Sequence, residues 1–135
     1  MQGGRELEVS ARASPASLRP LREVAAGWLL AEGVDADRCD EIVLALSEAA
    51  ANAIEHPREP QRPTVEIRMW VDADVVHVQV VDSGRWRERV DGQTGTIGRG
   101  RGLMLLRSLA DDVRIRRGPS GTTVEFVCDV RASPA

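Results

Sequence analysis

The 135-residue sequence predicts an α+β fold, a two-layer α/β sandwich with a mainly antiparallel sheet and its helices in a separate layer on one face. Three observations carry this expectation. Segments that alternate apolar and polar residues come in neighbouring pairs joined by short turns, as hairpins do. Two longer segments with helical spacing follow one another with no strand between them. Strands and helices do not alternate along the chain, as a doubly wound parallel sheet requires.

The elements follow in order. "RELEVSARA" (5–13) places Leu7, Val9 and Ala11 on one face and reads as a strand. "SPASLRPLREVAAGWLLAEG" reads as a helix capped by Ser14, with Pro15 in its first turn, Pro20 either early enough to be tolerated or shifting the true start a few residues later, and Gly33 as its stop. "DADRCDEIVLALSEAAANAIEH" is a second helix, with Asp35 or Asp37 as its cap and Pro57 after its end. "RPTVEIRMWVDA" and "DVVHVQVVD" alternate Val65, Ile67, Met69 and Val71, then Val76, Val78 and Val80, around a tight "DAD" turn. A Gly- and Arg-rich stretch at 83–102 has no periodicity, and loops of that length are usually functional or mobile. "LMLLRSLAD" is a short helix, "DVRIRRG" and "TTVEFVCDV" form a last hairpin about "GPSG", and "RASPA" is expected to fray. The expected order is β-α-α-β-β-loop-α-β-β within one domain spanning 1–135, its core at about 5–130.

Composition narrows the function. The chain is 42% hydrophobic, with apolar residues spread along most of its length, so a globular core is expected. The aromatic set is Trp28, Trp70, Trp86 and Phe126, so that core must be aliphatic. A net charge of −3 and a pI near 5.4 provide no basic field for direct nucleic-acid binding. All 18 basic residues are arginine, which excludes a lysine Schiff base. Cys39 and Cys128 form no CxxC or Cys/His cluster and read as small apolar fillers. No apolar run approaches a membrane span and no signal core opens the chain, so a cytoplasmic location without membrane association is expected.

Within "SEAAANAIEHP" (47–57), Glu48, Asn52 and His56 lie four residues apart among alanines. Helical geometry gathers Ile42, Leu46, Ala49, Ala50 and Ala53 on an apolar face. It sets Glu48 and Asn52 roughly 40° apart on the side taken as opposite, with His56 a further ~40° round. A solvated face competes with a functional one. Two details favour function: the neighbours are alanines rather than Arg/Glu pairs, and asparagine is a poor interior helix residue. "VVDSG" ends a strand in Asp82 and Gly84, where a carboxylate can accept from an exocyclic amine and glycine admits a planar ring, although Asp-Ser-Gly also makes an ordinary turn. "GRGRGLMLL" sets Gly98, Gly100 and Gly102 before a helix, where free N–H groups with Arg99 and Arg101 make an anion site or, alternatively, a hinge. The pattern is neither a P-loop nor a dinucleotide fingerprint.

Glu-x-x-x-Asn on a helix, Asp-x-Gly after a strand and Gly-x-Gly-x-Gly before a helix, in that order, resemble the ATP-binding domain of the GHKL superfamily. The chain is most similar to its bacterial anti-sigma factor serine/threonine kinases. "LSEAAANAIEHP" matches their N box, "VVDSGRW" and "GRGRGLMLLRSLADDV" their two glycine boxes, and "GTTVEF" their closing strand, over about residues 5–130. The resemblance implies a Bergerat-type ATP-binding fold with a mobile lid at about 85–101. It implies Glu48 as general base, Asn52 on the Mg²⁺ that bridges the ATP phosphates, Asp82 on the adenine amino group, and Gly84 beside the ring. Gly98, Arg99, Gly100, Arg101, Gly102 and Leu103 would surround the phosphates, and Thr122 or Thr123 would touch the nucleotide. His56 recurs in the family's box without an assigned role. Trp86 stands where the family's first glycine box often has a second glycine; it would stack on the adenine, brace the lid or narrow the pocket.

The activity implied is ATP-dependent phosphorylation of a STAS-type anti-anti-sigma factor by a homodimeric anti-sigma factor that also binds a sigma factor. Its first strand and helix would form the dimer surface. The alternative is a non-catalytic nucleotide-binding module that controls a sigma factor or a partner phosphatase by association. A histidine-kinase catalytic domain is a weaker third reading.

Overall fold

The computed structural model describes residues 6–55, 64–82, 106–118 and 121–130. Its strands are β1 (Glu6–Arg12), β2 (Thr64–Asp72), β3 (Val75–Asp82), β4 (Asp112–Gly118) and β5 (Gly121–Asp129); its long helices are α1 (Leu18–Ala31) and α2 (Ala36–Glu55). A helical stretch at 106–109 precedes β4. The lid region, the chain after Val130 and the centre of the last turn lie outside the described residues.

The five strands form one sheet in the order β1-β2-β3-β5-β4, antiparallel at every pairing. The expected two-layer α+β arrangement is therefore present. Period-two alternation gives each strand one apolar face. Val65, Ile67, Met69, Val76, Val78, Val80, Val124, Phe126 and Cys128 are buried there, and Leu21, Ala25 and Leu29 of α1 join Ile42, Ala45, Leu46 and Ala49 of α2 in the same cluster. Among the described residues Phe126 is the one fully buried aromatic, with Trp28 packed against the cluster, so the core is mainly aliphatic as composition required. Both cysteines are buried within it, as fillers; the Cys39 thiol donates to the Ala26 carbonyl at 3.7 Å.

The local signals hold with two adjustments. The segment after Ser14 is first a 3-10 turn (Pro15–Ser17), with the Ser14 hydroxyl accepting from Ala16 N–H, and α1 proper starts at Leu18. Pro20 then occupies the third position of α1, where its missing N–H removes no helical bond. Gly33 takes the left-handed conformation after α1, with φ +91°, and Cys39 N–H closes the first turn of α2 on the Asp35 carbonyl.

The second adjustment concerns the face of α2. Ala49, expected on the apolar face, and Ala45 one turn before it are core residues, while Glu48 and Asn52 are half-buried rather than opposite the core. Asn52 lies only ~60° round the helix from Ala49 at ~100° per residue, which places the stripe on the shoulder of the packed face.

Arg38, in the first turns of α2, is buried. It donates through Nε to the Asp129 carbonyl (2.7 Å), and through Nη1 to Glu41 Oε1 (2.7 Å) and the Leu109 carbonyl (3.3 Å). Burial by itself lowers its pKa, but the bond to Glu41 and the charges of Asp111 and Glu41 outweigh that and hold it above the ordinary value. One guanidinium thus joins α2, the end of the 106–109 helix and the end of β5.

Among the described residues, no helix is long and apolar enough to cross a membrane.

Candidate functional site

α2 packs against β2 and β3 on the apolar face of the sheet. Its i, i+4 spacing sets the half-buried Glu48 and Asn52 one turn apart on one shoulder. The neighbouring side chains toward the core, Ala45 and Ala49, are too small to cover that shoulder. Ser47, next to Glu48, accepts from Arg22 Nη1 of α1 at 3.4 Å. Sequence reasoning did not single out Arg22, because only the packing of α1 on α2 brings it to this turn.

The strand side of the site follows from register. Asp82 ends β3 opposite Val65 of β2 and Thr122 of β5. It falls at an inner-face position, two and four residues on from the buried Val80 and Val78. Thr122 is 2% exposed, and its hydroxyl oxygen has no hydrogen-bond partner among the described residues. A buried hydroxyl without a partner costs about 1–3 kcal/mol, so native folds seldom leave one unless a ligand or water completes it. The position facing it across the ladder belongs to a carboxylate residue, and together the two positions suit a polar edge such as an exocyclic amine.

Thr123 is separated from them by the same geometry. It pairs with Val81 and Arg116 on the opposite face of the sheet, away from α2. Register thus puts Asp82 and Thr122 at facing positions on the helix-covered face of the sheet, and Thr123 on the other face. His56, Gly84, Trp86, Gly98, Arg99, Gly100, Arg101, Gly102 and Leu103 lie outside the described residues.

The donor set also bears on a metal. Among the described residues, no group of three or more His, Cys, Asp or Glu side chains is placed to hold an ion.

Known proteins match this chain and its fold. The model of the histidine kinase-like ATPase domain family matches residues 11–128. The serine-protein kinase RsbW of Bacillus licheniformis is 28% identical over 133 residues, covering 89% of this chain and 82% of that protein. A crystal structure of the RsbU and RsbW domains of Rv1364c from Mycobacterium tuberculosis superposes with a TM-score of 0.72 at 25% identity, over 93% of this chain and 32% of that one. This chain therefore spans about a third of the mycobacterial protein. The histidine kinase domain of a blue-light activated kinase from Erythrobacter litoralis shares the fold, with a TM-score of 0.58 at 21% identity, over 89% of this chain and 65% of that one.

Proposed function

Because the chain belongs to the histidine kinase-like ATPase domain family, we propose that it is an ATP-binding anti-sigma factor that phosphorylates a serine or threonine of an anti-anti-sigma factor. The observation that carries the nucleotide reading is the buried, unpartnered Thr122 hydroxyl in register with Asp82. In this reading the adenine amino group donates to Asp82, and Thr122 completes the polar edge, directly or through one water. Gly84 leaves room for the ring. Gly98, Arg99, Gly100, Arg101, Gly102 and Leu103 enclose the phosphates beneath a lid at about 85–101. The kinase name carried by the Bacillus licheniformis relative supports phosphoryl transfer as the activity.

Phosphoryl transfer needs mainly positioning and charge neutralisation. Asn52 would hold Mg²⁺ through its amide oxygen, and the ion when bound would neutralise charge on the phosphate oxygens. Glu48, one turn away, accepts the proton of the attacking hydroxyl and ends the step as a carboxylic acid. Alanine around both keeps that shoulder open to substrate. A sigma factor is the second partner.

A homodimer through β1 and α1 belongs to the same reading. β1 is an outer strand among those described, its inward Leu7, Val9 and Ala11 are only half-buried, and α1 leaves Val24 and Leu30 exposed.

The test is transfer of labelled phosphate from ATP to the cognate antagonist. Glu48→Gln should lower the rate about 10²–10⁴-fold while Mg-ATP binding by calorimetry stays close to wild type. Full transfer by Glu48→Gln would remove it as the base. Nucleotide binding with no transfer by the wild type would favour the non-catalytic module, and absence of Mg-ATP binding would overturn both.

A further inference from the structure

The sheet face turned away from the helices carries a groove that the nucleotide reading does not use. Alternation places Trp70, His77, Val127 and Asp112 in one row across β2, β3, β5 and β4. The Trp70 and His77 rings are stacked, with centroids 5.1 Å apart and planes 2° from parallel. Val127 is a short side chain beside them, with Glu125 and Arg114 in the next row. The step from tall rings to a short floor leaves a groove of about 250 Å³ lined by these six residues together with Val78 and Phe126.

Charge and shape narrow what fits. One face of the imidazole lies on Trp70, so its other face borders the groove above Val127 as a flat wall. The lining holds two carboxylates against one arginine. Glu125 is already engaged, accepting from Gln79 Nε2 at 2.9 Å. Among the described residues, Asp112 is held by a 3.7 Å contact from Arg114 Nε alone, with both side chains more than half exposed. Such pairs are worth little and exchange readily. A flat aromatic wall facing an available carboxylate is a slot for a planar cation. A guanidinium can lie on the ring while it bonds the carboxylate edge-on, whereas an ammonium cannot do both with one plane. An anion would meet Asp112 and Glu125.

The geometry points to a docking groove for an arginine side chain of a partner polypeptide, on the face opposite the nucleotide site. A cross-strand aromatic pair on a solvated face is the simpler account of Trp70 and His77, since such pairs stabilise sheets by themselves. That account gives no reason for the groove beside them to be walled by carboxylates.

The experiment is an NMR titration of the ¹⁵N-labelled full chain, following the Trp70 indole and the amides of His77 and Val127. The probes are three capped tripeptides, Gly-Arg-Gly, Gly-Lys-Gly and Gly-Glu-Gly. The arginine peptide should give a saturable shift, the lysine peptide should bind at least about fivefold more weakly, and the glutamate peptide should give no shift. Asp112→Asn, at an exposed position that leaves the fold intact, should weaken the arginine peptide about fivefold. His77→Ser should remove the Val127 response, with circular dichroism confirming the fold. Equal responses to the arginine and glutamate peptides, or an unchanged affinity in Asp112→Asn, would overturn the proposal. So would concentration-dependent shifts of these signals without peptide, which would make a second copy of the chain the occupant. None of these readouts depends on ATP, so failure here leaves the kinase reading standing, and the reverse also holds.

Discussion

Thr122 and Thr123 show what a single position decides. They are adjacent and chemically identical, yet one is buried with a hydroxyl that has no partner among the described residues and the other lies on the opposite face. If the Thr122 hydroxyl waits for nucleotide, it is a cost to the empty protein. Thr122→Val keeps the shape and removes the unsatisfied oxygen, so the ligand-free protein should gain about 1 kcal/mol in a denaturant melt. ATP affinity should fall about fivefold or more, as expected for a lost hydrogen bond of ~1 kcal/mol. Unchanged affinity would detach Thr122 from the site. The family resemblance made both threonines candidates without choosing between them, whereas Thr122 shares the alternation phase of the buried Val124, Phe126 and Cys128. Arg38 was illegible for a different reason. An arginine in the first turns of a helix reads as a solvated charge, and its partners, the Leu109 and Asp129 carbonyls, are 71 and 91 residues away.

Among the elements, the hairpins were the most legible, since period-two alternation and a two-residue turn are local signals. The β2–β3 turn nevertheless has an unusual composition. Ala73 and Asp74 both have positive φ, 53° and 64°, as the right-handed twist of the two strands favours, but without the glycine or asparagine that normally takes the first place. Ala73→Gly should therefore stabilise the protein by roughly 0.5–1 kcal/mol, after the added freedom of the unfolded chain is subtracted. A lower melting temperature for that variant would mean the turn is not strained at Ala73. The α2 stripe was legible in content and misjudged in direction. Its residues were identified by spacing, whereas their half-burial depends on how the helix rolls against β3, which a helical wheel alone does not fix. The Trp70–His77 stack was hidden altogether, because it needs the β2–β3 register before either ring has a neighbour.

At the scale of the molecule, the interior position of β5 governs two properties. Its Cys128 is fully buried, and burial foremost pushes the thiol from an ordinary 9.0 up to about 12. The unfolded chain loses that proton near the ordinary value while the folded chain keeps it, so the thiol's contribution is intact below about pH 9 and is lost as pH rises towards 12. Denaturant midpoints should fall between pH 8 and pH 10.5, and Cys128→Ala should flatten that slope; equal slopes in both proteins would remove the thiol as its source. The second property concerns how such a sheet is made. β5 is the last described strand in chain order, yet it sits between β3 and β4 and pairs with both. During synthesis, β1, β2 and β3 leave the ribosome with the valine-rich side of β3 still unpaired, and β4 has no sheet to join until β5 follows it. The nascent chain therefore carries an open, aggregation-prone strand edge until β5 emerges. A stalled or shortened translation product would present that edge to other chains and to the chaperones that guard against them.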